Sequence, residues 1–223
     1  MCGRYTQTAS IKTLRERFGL KAAEQLELVP RYNIAPTQEA AVIVEDGGRA
    51  LRMFRGGLIP SWAKDAAIGH KMINARAETA AEKPSFRKPF RSRRCLVVAD
   101  GFYEWRAAAG GKVPTRVVLP SREPFAMAGL WDSWKSPEGK EVRTFTILTT
   151  AANDAMKPIH DRMPVILPRD REAAWLDPAA TPETLAKLLT PWDAALETYA
   201  VSPLVNSPKN ETAACVEPVR AGS

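Results

Sequence analysis

The feature that most narrows the fold is a rhythm of short apolar runs cut by turn residues. Residues 41–44, 50–54, 95–99, 102–105, 115–119, 125–130, 142–150, 163–167 and 197–201 are rich in Val, Ile, Thr and Phe, with Gly, Pro, Ser and Asp between them. Runs this short are too brief for a long helix, and their β-branched content reads as strand. Residues 41–44 and 50–54 flank Glu45-Asp46-Gly47-Gly48, a strong hairpin signal. Closely spaced strands joined by tight turns predict an α+β fold: a mainly antiparallel β core with barrel-like sheets and peripheral helices. Helices are expected at 10–18, where Ile11, Leu14 and Phe18 share a face and Ser10 and Gly19 supply caps, and at 171–176 and 182–189, where Thr181 caps and Pro182 starts the helix. Residues 153–157 read as a single helical turn, 74–82 as an approach to a short helix, and 31–36 as a loop. Gly56 to Trp62 reads as an irregular turn carrying an aromatic. No repeat or linker divides the chain, so one domain over 1–206 is expected, followed by a loose polar tail, 207–223.

At 223 residues, with 45% hydrophobic content and six tryptophans, the chain can bury a substantial core. The formal net charge is +7 and arginine outnumbers lysine, which favours phosphate-bearing partners. Between positions 83 and 94, Lys83, Arg87, Lys88, Arg91, Arg93 and Arg94 stand with Phe86 and Phe90 among them and no acid. That pattern fits a nucleic-acid backbone as well as it fits a solvated charged face. Three cysteines, Cys2, Cys95 and Cys215, are odd in number and far apart, which argues against a disulfide framework and for reduced thiols in the cytoplasm. With two histidines and no close Cys/His spacing, no metal site is expected. No signal-like segment or apolar run of about 18 residues occurs, so no membrane role is expected.

Cys2 is chemically special. Removal of Met1 leaves it with a thiol and a free α-amine on adjacent carbons. Such a 1,2-aminothiol condenses with an aldehyde to a five-membered thiazolidine, which an internal cysteine, whose nitrogen is an amide, cannot do. An ordinary α-amine titrates at about 7.7–8.0, so part of it is neutral and nucleophilic near pH 7. Glu104 lies within Gly-Phe-Tyr-Glu-Trp; a carboxylic acid among aromatics can act as a general acid, although an exposed strand glutamate fits the same letters. His160 can exchange protons near neutrality or be a hydrogen-bonded structural histidine. Asn74 can hold a substrate oxygen or serve as a loop or cap residue. Trp62 and Trp105 can stack on bases or pack in the core.

Five segments occur in order: Met-Cys-Gly-Arg at the start, Arg-Tyr-Asn-Ile-Ala-Pro at 31–36, Asn-Ala-Arg-Ala-Glu-Thr at 74–79, Asp-Gly-Phe-Tyr-Glu-Trp at 100–105 and Ile-His-Asp-Arg-Met-Pro at 159–164. Together they closely resemble the SOS-response-associated peptidase family of abasic-site processing proteins, from Cys2 to about Val201. The resemblance implies a cytoplasmic, monomeric protein that needs no cofactor. It would bind single-stranded DNA, fork or junction DNA included, and capture abasic sites as a thiazolidine on Cys2. Schiff-base, lyase-like chemistry and removal of its own N-terminal Met1 go with that reading. Asn74 would position the sugar, Glu104 transfer protons during Schiff-base formation, and His160 assist ring opening or reversal. The DNA-contacting set implied is Arg4, Asn33, Trp62, Arg76, Trp105, Thr149 and Arg162. One departure stands out: the family often carries Trp before Gly-Leu-Ile-Pro, where this chain has Gly56. Two other functions remain compatible with the residues, an N-terminal-nucleophile amidohydrolase and a non-catalytic single-strand-binding module.

Overall fold

The computed structural model describes residues 3–21 and 27–219. Its strands are β1 (Tyr5–Gln7), β2 (Arg31–Ile34), β3 (Glu39–Glu45), β4 (Arg49–Gly56), β5 (Asn74–Arg76), β6 (Arg94–Ala99), β7 (Gly101–Ala108), β8 (Gly111–Val118), β9 (Phe125–Lys135), β10 (Glu141–Ala151), β11 (Arg162–Pro164), β12 (Ile166–Leu167) and β13 (Glu197–Ala200). Among the described residues the α-helices are α1 (Ile11–Phe18), α2 (Ala77–Ala80), α3 (Arg87–Ser92), α4 (Arg169–Leu176) and α5 (Pro182–Leu188).

Strands β4, β3, β6, β9 and β10 pair in succession, and β10 returns to pair with β4. The five close into a small barrel, antiparallel except at the β10–β4 seam. A second sheet, ordered β13-β8-β7-β1-β2, is antiparallel throughout. The α+β expectation with a mainly antiparallel β core therefore holds.

Alternation along the barrel strands feeds two cores. Ala40, Val42, Val44, Cys95, Val97, Phe125 and Met127 join Phe102 and Val117 of the second sheet. Ala41, Ile43, Leu96, Val98, Ala126 and Ala128 face Leu14 and Phe18 of α1, Phe90 of α3, Trp175 of α4 and Leu185 of α5. Because both faces are covered, β3 and β6 read as continuous apolar runs rather than alternating ones. The caps expected from sequence form: Ser10 accepts from the Thr13 amide, Gly19 takes a left-handed conformation at φ 62°, and Thr181 accepts from the Thr184 amide.

Between β4 and β5 the chain leaves the barrel wall and returns to it. Gly57 (φ 89°) starts the excursion, and a Cβ there would lie 2.6 Å from the Gly69 carbonyl oxygen, so only glycine permits the crossing. The returning β5 pairs in parallel with β10 at Ile147–Thr149, following β4 on that edge. On the opposite edge β11 pairs with residues 149–151 of β10. Two segments remote in sequence are thus held on either side of one strand end.

Four local expectations change. Residues 31–34 form strand β2 rather than a loop, because β1 supplies pairing partners at Tyr5↔Ile34 and Gln7↔Arg31. Asn74–Arg76 is strand before α2 begins. The polar stretch 207–219 is packed rather than loose: Cys215 is buried with Tyr103, Val201 and Val205, and Pro218 bridges Val201. The fourth concerns positions 83–94. Phe90 is buried against Trp175, and Arg94 donates to the carbonyls of Trp175, Phe90, Arg91 and Asp177. The Arg93 guanidinium pairs with Asp132. The aromatics and the last two arginines of that run are structural, leaving Lys83, Arg87, Lys88 and Arg91 exposed.

Candidate functional site

Two clusters define the site, and each is built by a strand junction. The first sits at the C-terminal end of β10. Register places Asn74 opposite Ile147 and Arg76 opposite Thr149 on one edge, and Arg162 opposite Ala151 on the other. The Asn74 side-chain amide donates to the Ile147 carbonyl at 3.4 Å. Arg162 makes a bidentate pair with Glu78 at 2.7 and 2.8 Å and also donates to the Thr149 carbonyl. That fork holds the Glu78 carboxyl below the usual carboxylate range, the hydrogen bond from Arg162 being the main cause. Thr149 is buried, its hydroxyl 3.5 Å from the Ala75 carbonyl. Arg76 is exposed and makes no ion pair among the described residues.

His160 enters this cluster from the turn before β11. Its Nδ1 lies 3.0 Å from the Arg162 amide nitrogen and 2.8 Å from Oδ1 of Asp161. The neutral ring accepts the amide there, which puts its proton on Nε2; the protonated ring donates from Nδ1 to Asp161 instead.

The second cluster surrounds the entry of the N-terminal strand. Arg4 donates to Oδ1 of Asn33 at 2.7 Å and to the Val205 carbonyl, and its guanidinium lies 5.6 Å from the Trp105 ring centre. Burial lowers the Arg4 pKa from its ordinary value. Trp105 donates its indole N–H to Asn206 at 2.7 Å. Glu104 precedes it on β7 and is 3% exposed, which removes the reading of an exposed strand glutamate. Tyr103, on the opposite face, donates its hydroxyl to the carbonyls of Tyr32 and Cys215. Burial pushes its pKa up, so it stays a donor. Asn33 is 0% exposed and its amide donates toward the carbonyls of Val205, Ser207 and Asn210. It presents no surface to a ligand and instead holds Arg4.

The clusters meet through Gly3. The Tyr103 amide donates to the Arg4 carbonyl at 2.9 Å, continuing the β1–β7 register toward the N-terminus. Gly3 then lines a small cavity with Tyr5, Pro36, Gly57, Ile73 and Ile147, the last two adjoining Asn74. Cys2 lies outside the described residues. Trp62 stands apart on the excursion between β4 and β5 and is 59% exposed. A tryptophan so exposed is not core, so its stacking reading stays open. Gly56 ends β4 with its amide bonded to the Gln38 carbonyl, so the position where the family often has Trp is here a strand terminus.

Sequence reasoning missed Glu78 and Glu211 as site-building residues. Glu78 lies inside the Asn-Ala-Arg-Ala-Glu-Thr segment, where the nearby Arg76 is a signal of acid and base organised together. Glu211 stands in a polar stretch that gives no local signal.

The chain thus pairs its N-terminal strand with the strand that carries buried Glu104, and sets an asparagine and an arginine on either side of one strand end. The model of the family described as SOS response associated peptidase (SRAP) matches residues 1–208, and the chain belongs to that family. It is 50% identical over 222 residues to the abasic site processing protein YoqW of Bacillus subtilis, covering 97% of this chain and 99% of that one. It is 34% identical to abasic site processing protein HMCES of Gallus gallus, covering 86% of this chain and 67% of the relative. A crystal structure of a Bacteroides thetaiotaomicron protein superposes with a TM-score of 0.89 at 29% identity, covering 98% of this chain and 100% of that one. A Bordetella bronchiseptica protein superposes at 0.77 and 28% identity, covering 90% and 100% respectively.

Proposed function

We propose that this protein captures abasic sites in single-stranded DNA as a covalent thiazolidine on Cys2, shielding the lesion during the DNA-damage response. The observation that supports the reading is that Asn74 and the turn carrying His160 flank the C-terminal end of β10, while Gly3 lines a cavity with Ile147, the partner of Asn74. Cys2 directly precedes Gly3 in the chain. The reaction needs Met1 removed, which exposes the amine.

The ring-opened abasic sugar presents an aldehyde. The Cys2 amine adds to that carbon and the carbinolamine loses water to give an imine. The thiol then adds across the C=N bond, sulfur to carbon and hydrogen to nitrogen, closing the ring. Glu104 supplies and recovers the protons of dehydration, Asn74 holds the sugar, and His160 assists ring opening and the reverse reaction. Holding both nucleophiles on one residue makes the second step intramolecular. Arg4, Arg76 and Arg162 face phosphate, Trp62 and Trp105 stack on bases, Thr149 seats Arg162, and Asn33 acts through Arg4. The protein works as a cytoplasmic monomer, without a cofactor, at single-stranded or fork DNA.

Intact mass spectrometry after mixing with an abasic single-stranded oligonucleotide tests this. The expected species has the mass of protein plus oligonucleotide less one water. Non-covalent binding alone, or release of a small amide product without an adduct, contradicts the proposal.

A further inference from the structure

The stretch from Val205 to Glu211 does more than close the fold. Its carbonyls at Val205, Ser207 and Asn210 surround the Asn33 amide at 3.2, 3.0 and 2.9 Å. Asn33 turns its oxygen to Arg4. The Val205 carbonyl accepts from Arg4 as well, and Asn206 holds the tryptophan over which Arg4 lies. The whole assembly is pinned by one side chain. Oε1 of Glu211 accepts the backbone N–H groups of Tyr32 and Asn33, the latter at 2.8 Å, and Oε2 accepts from Nε of Arg31 at 2.9 Å. Glu211 lies beyond residues 1–208, the part matched by the family model.

We propose that Glu211 is a positioning residue for adduct formation, acting through Asn33 on Arg4 and so on the N-terminal residue two positions before it. This rests on the reading that Cys2 is the nucleophile. A carboxylate accepting two adjacent backbone N–H groups fixes the β2 backbone at the position where Asn33 emerges. Asn33 has no freedom of its own, since both ends of its amide are engaged. A shift in β2 therefore passes to the Arg4 guanidinium, and Arg4 sets the path of the chain toward Gly3. Displacements of about 1 Å in such supports can cost up to about 10²-fold in rate.

Single-turnover adduct formation with an abasic single strand is the test, with melting curves to confirm folding. Glu211→Ala should lower the rate at saturating DNA by about tenfold, a loss that raising the DNA concentration does not recover. Glu211→Gln, whose amide oxygen can still accept both N–H groups, should recover most of the rate. Adding Glu211→Ala to Arg4→Ala should slow the reaction no further than Arg4→Ala alone, because the two act on one path. Folded Glu211→Ala reacting at the wild-type rate, or losses that multiply in the double variant, overturns the inference. If Glu211→Ala does not fold, Glu211→Asp decides: one methylene shorter, it should be about threefold slower, and a wild-type rate rejects the role. Wild-type protein that forms no adduct rejects the proposed function itself, which separates the two failures.

Discussion

Positions 83–94 and the C-terminal end of β10 are opposites. The first is the most cationic stretch of the chain, yet its Phe90, Arg93 and Arg94 are spent on internal contacts. The second shows no charge run in sequence, yet it gathers Asn74, Arg76, Thr149, His160 and Arg162 from three segments. An arginine in a sequence carries a charge to wherever its backbone points it. Arg94 points into four carbonyls, of which its contacts to Trp175 and Phe90 are buried. Arg76 begins a helix at the edge of a sheet and points outward. Phosphate affinity should therefore follow exposure and placement rather than local charge density.

The largest expected effect that sharpens this contrast is on stability. Phe90→Ala should cost about 3–5 kcal/mol by opening a cavity against Trp175. Arg94→Ala should cost about 2–3 kcal/mol by orphaning buried carbonyls. Chemical denaturation reads both, and the folded fraction should bind single-stranded DNA as wild type does. A folded Arg94→Ala that loses DNA affinity would return that residue to the interface.

Arg76→Ala should do the reverse. Its stability should stay within about 0.5 kcal/mol of wild type. Its affinity for intact and abasic strands should fall, with the slope of log affinity against log salt shallower by about 0.7, one phosphate contact on a single strand. An unchanged slope removes Arg76 from the backbone-contacting set.

The smallest effect belongs to Glu78. Its carboxyl is held below the ordinary value by Arg162, so the pair's contribution is complete above the ordinary glutamate range, about pH 4.3, and fades as pH falls through the lowered value. Glu78 is half-exposed, so Glu78→Gln should change stability by less than about 1 kcal/mol and should flatten the acid limb of the stability–pH curve. A limb identical to wild type rejects the pairing.

The sequence was most readable where one local rule governs. Ser10, Gly19 and Thr181 announced helix ends because caps need particular side chains or backbone conformations, and the Asp46-Gly47-Gly48 turn announced the β3–β4 hairpin. It was least readable where a partner from far along the chain decides. Residues 31–34 became strand only because β1 lies alongside, and residues 207–219 are held by Asn33, Tyr103 and Val201. The candidate site shows both behaviours. Asn74, Glu104 and His160 stand out in their motifs, but that β10 separates β5 from β11 by a single strand is a property of topology. Glu104 in particular reads in sequence as readily as an exposed residue, and in the fold it is buried on β7.

The central claim is that the adduct requires amine and thiol on one residue. The direct measurement is intact mass and denaturing gel analysis of wild type, Cys2→Ala, Cys2→Ser and a variant that retains Met1, each mixed with one abasic oligonucleotide. Wild type should give a heat-stable adduct. Cys2→Ala and the Met1-retaining protein should give none, and Cys2→Ser at most a labile imine or oxazolidine. Buried Cys95, whose thiol burial keeps protonated, and buried Cys215 should not substitute. A heat-stable adduct on protein that still carries Met1 would contradict the account, because the amine that closes the ring would then be an amide.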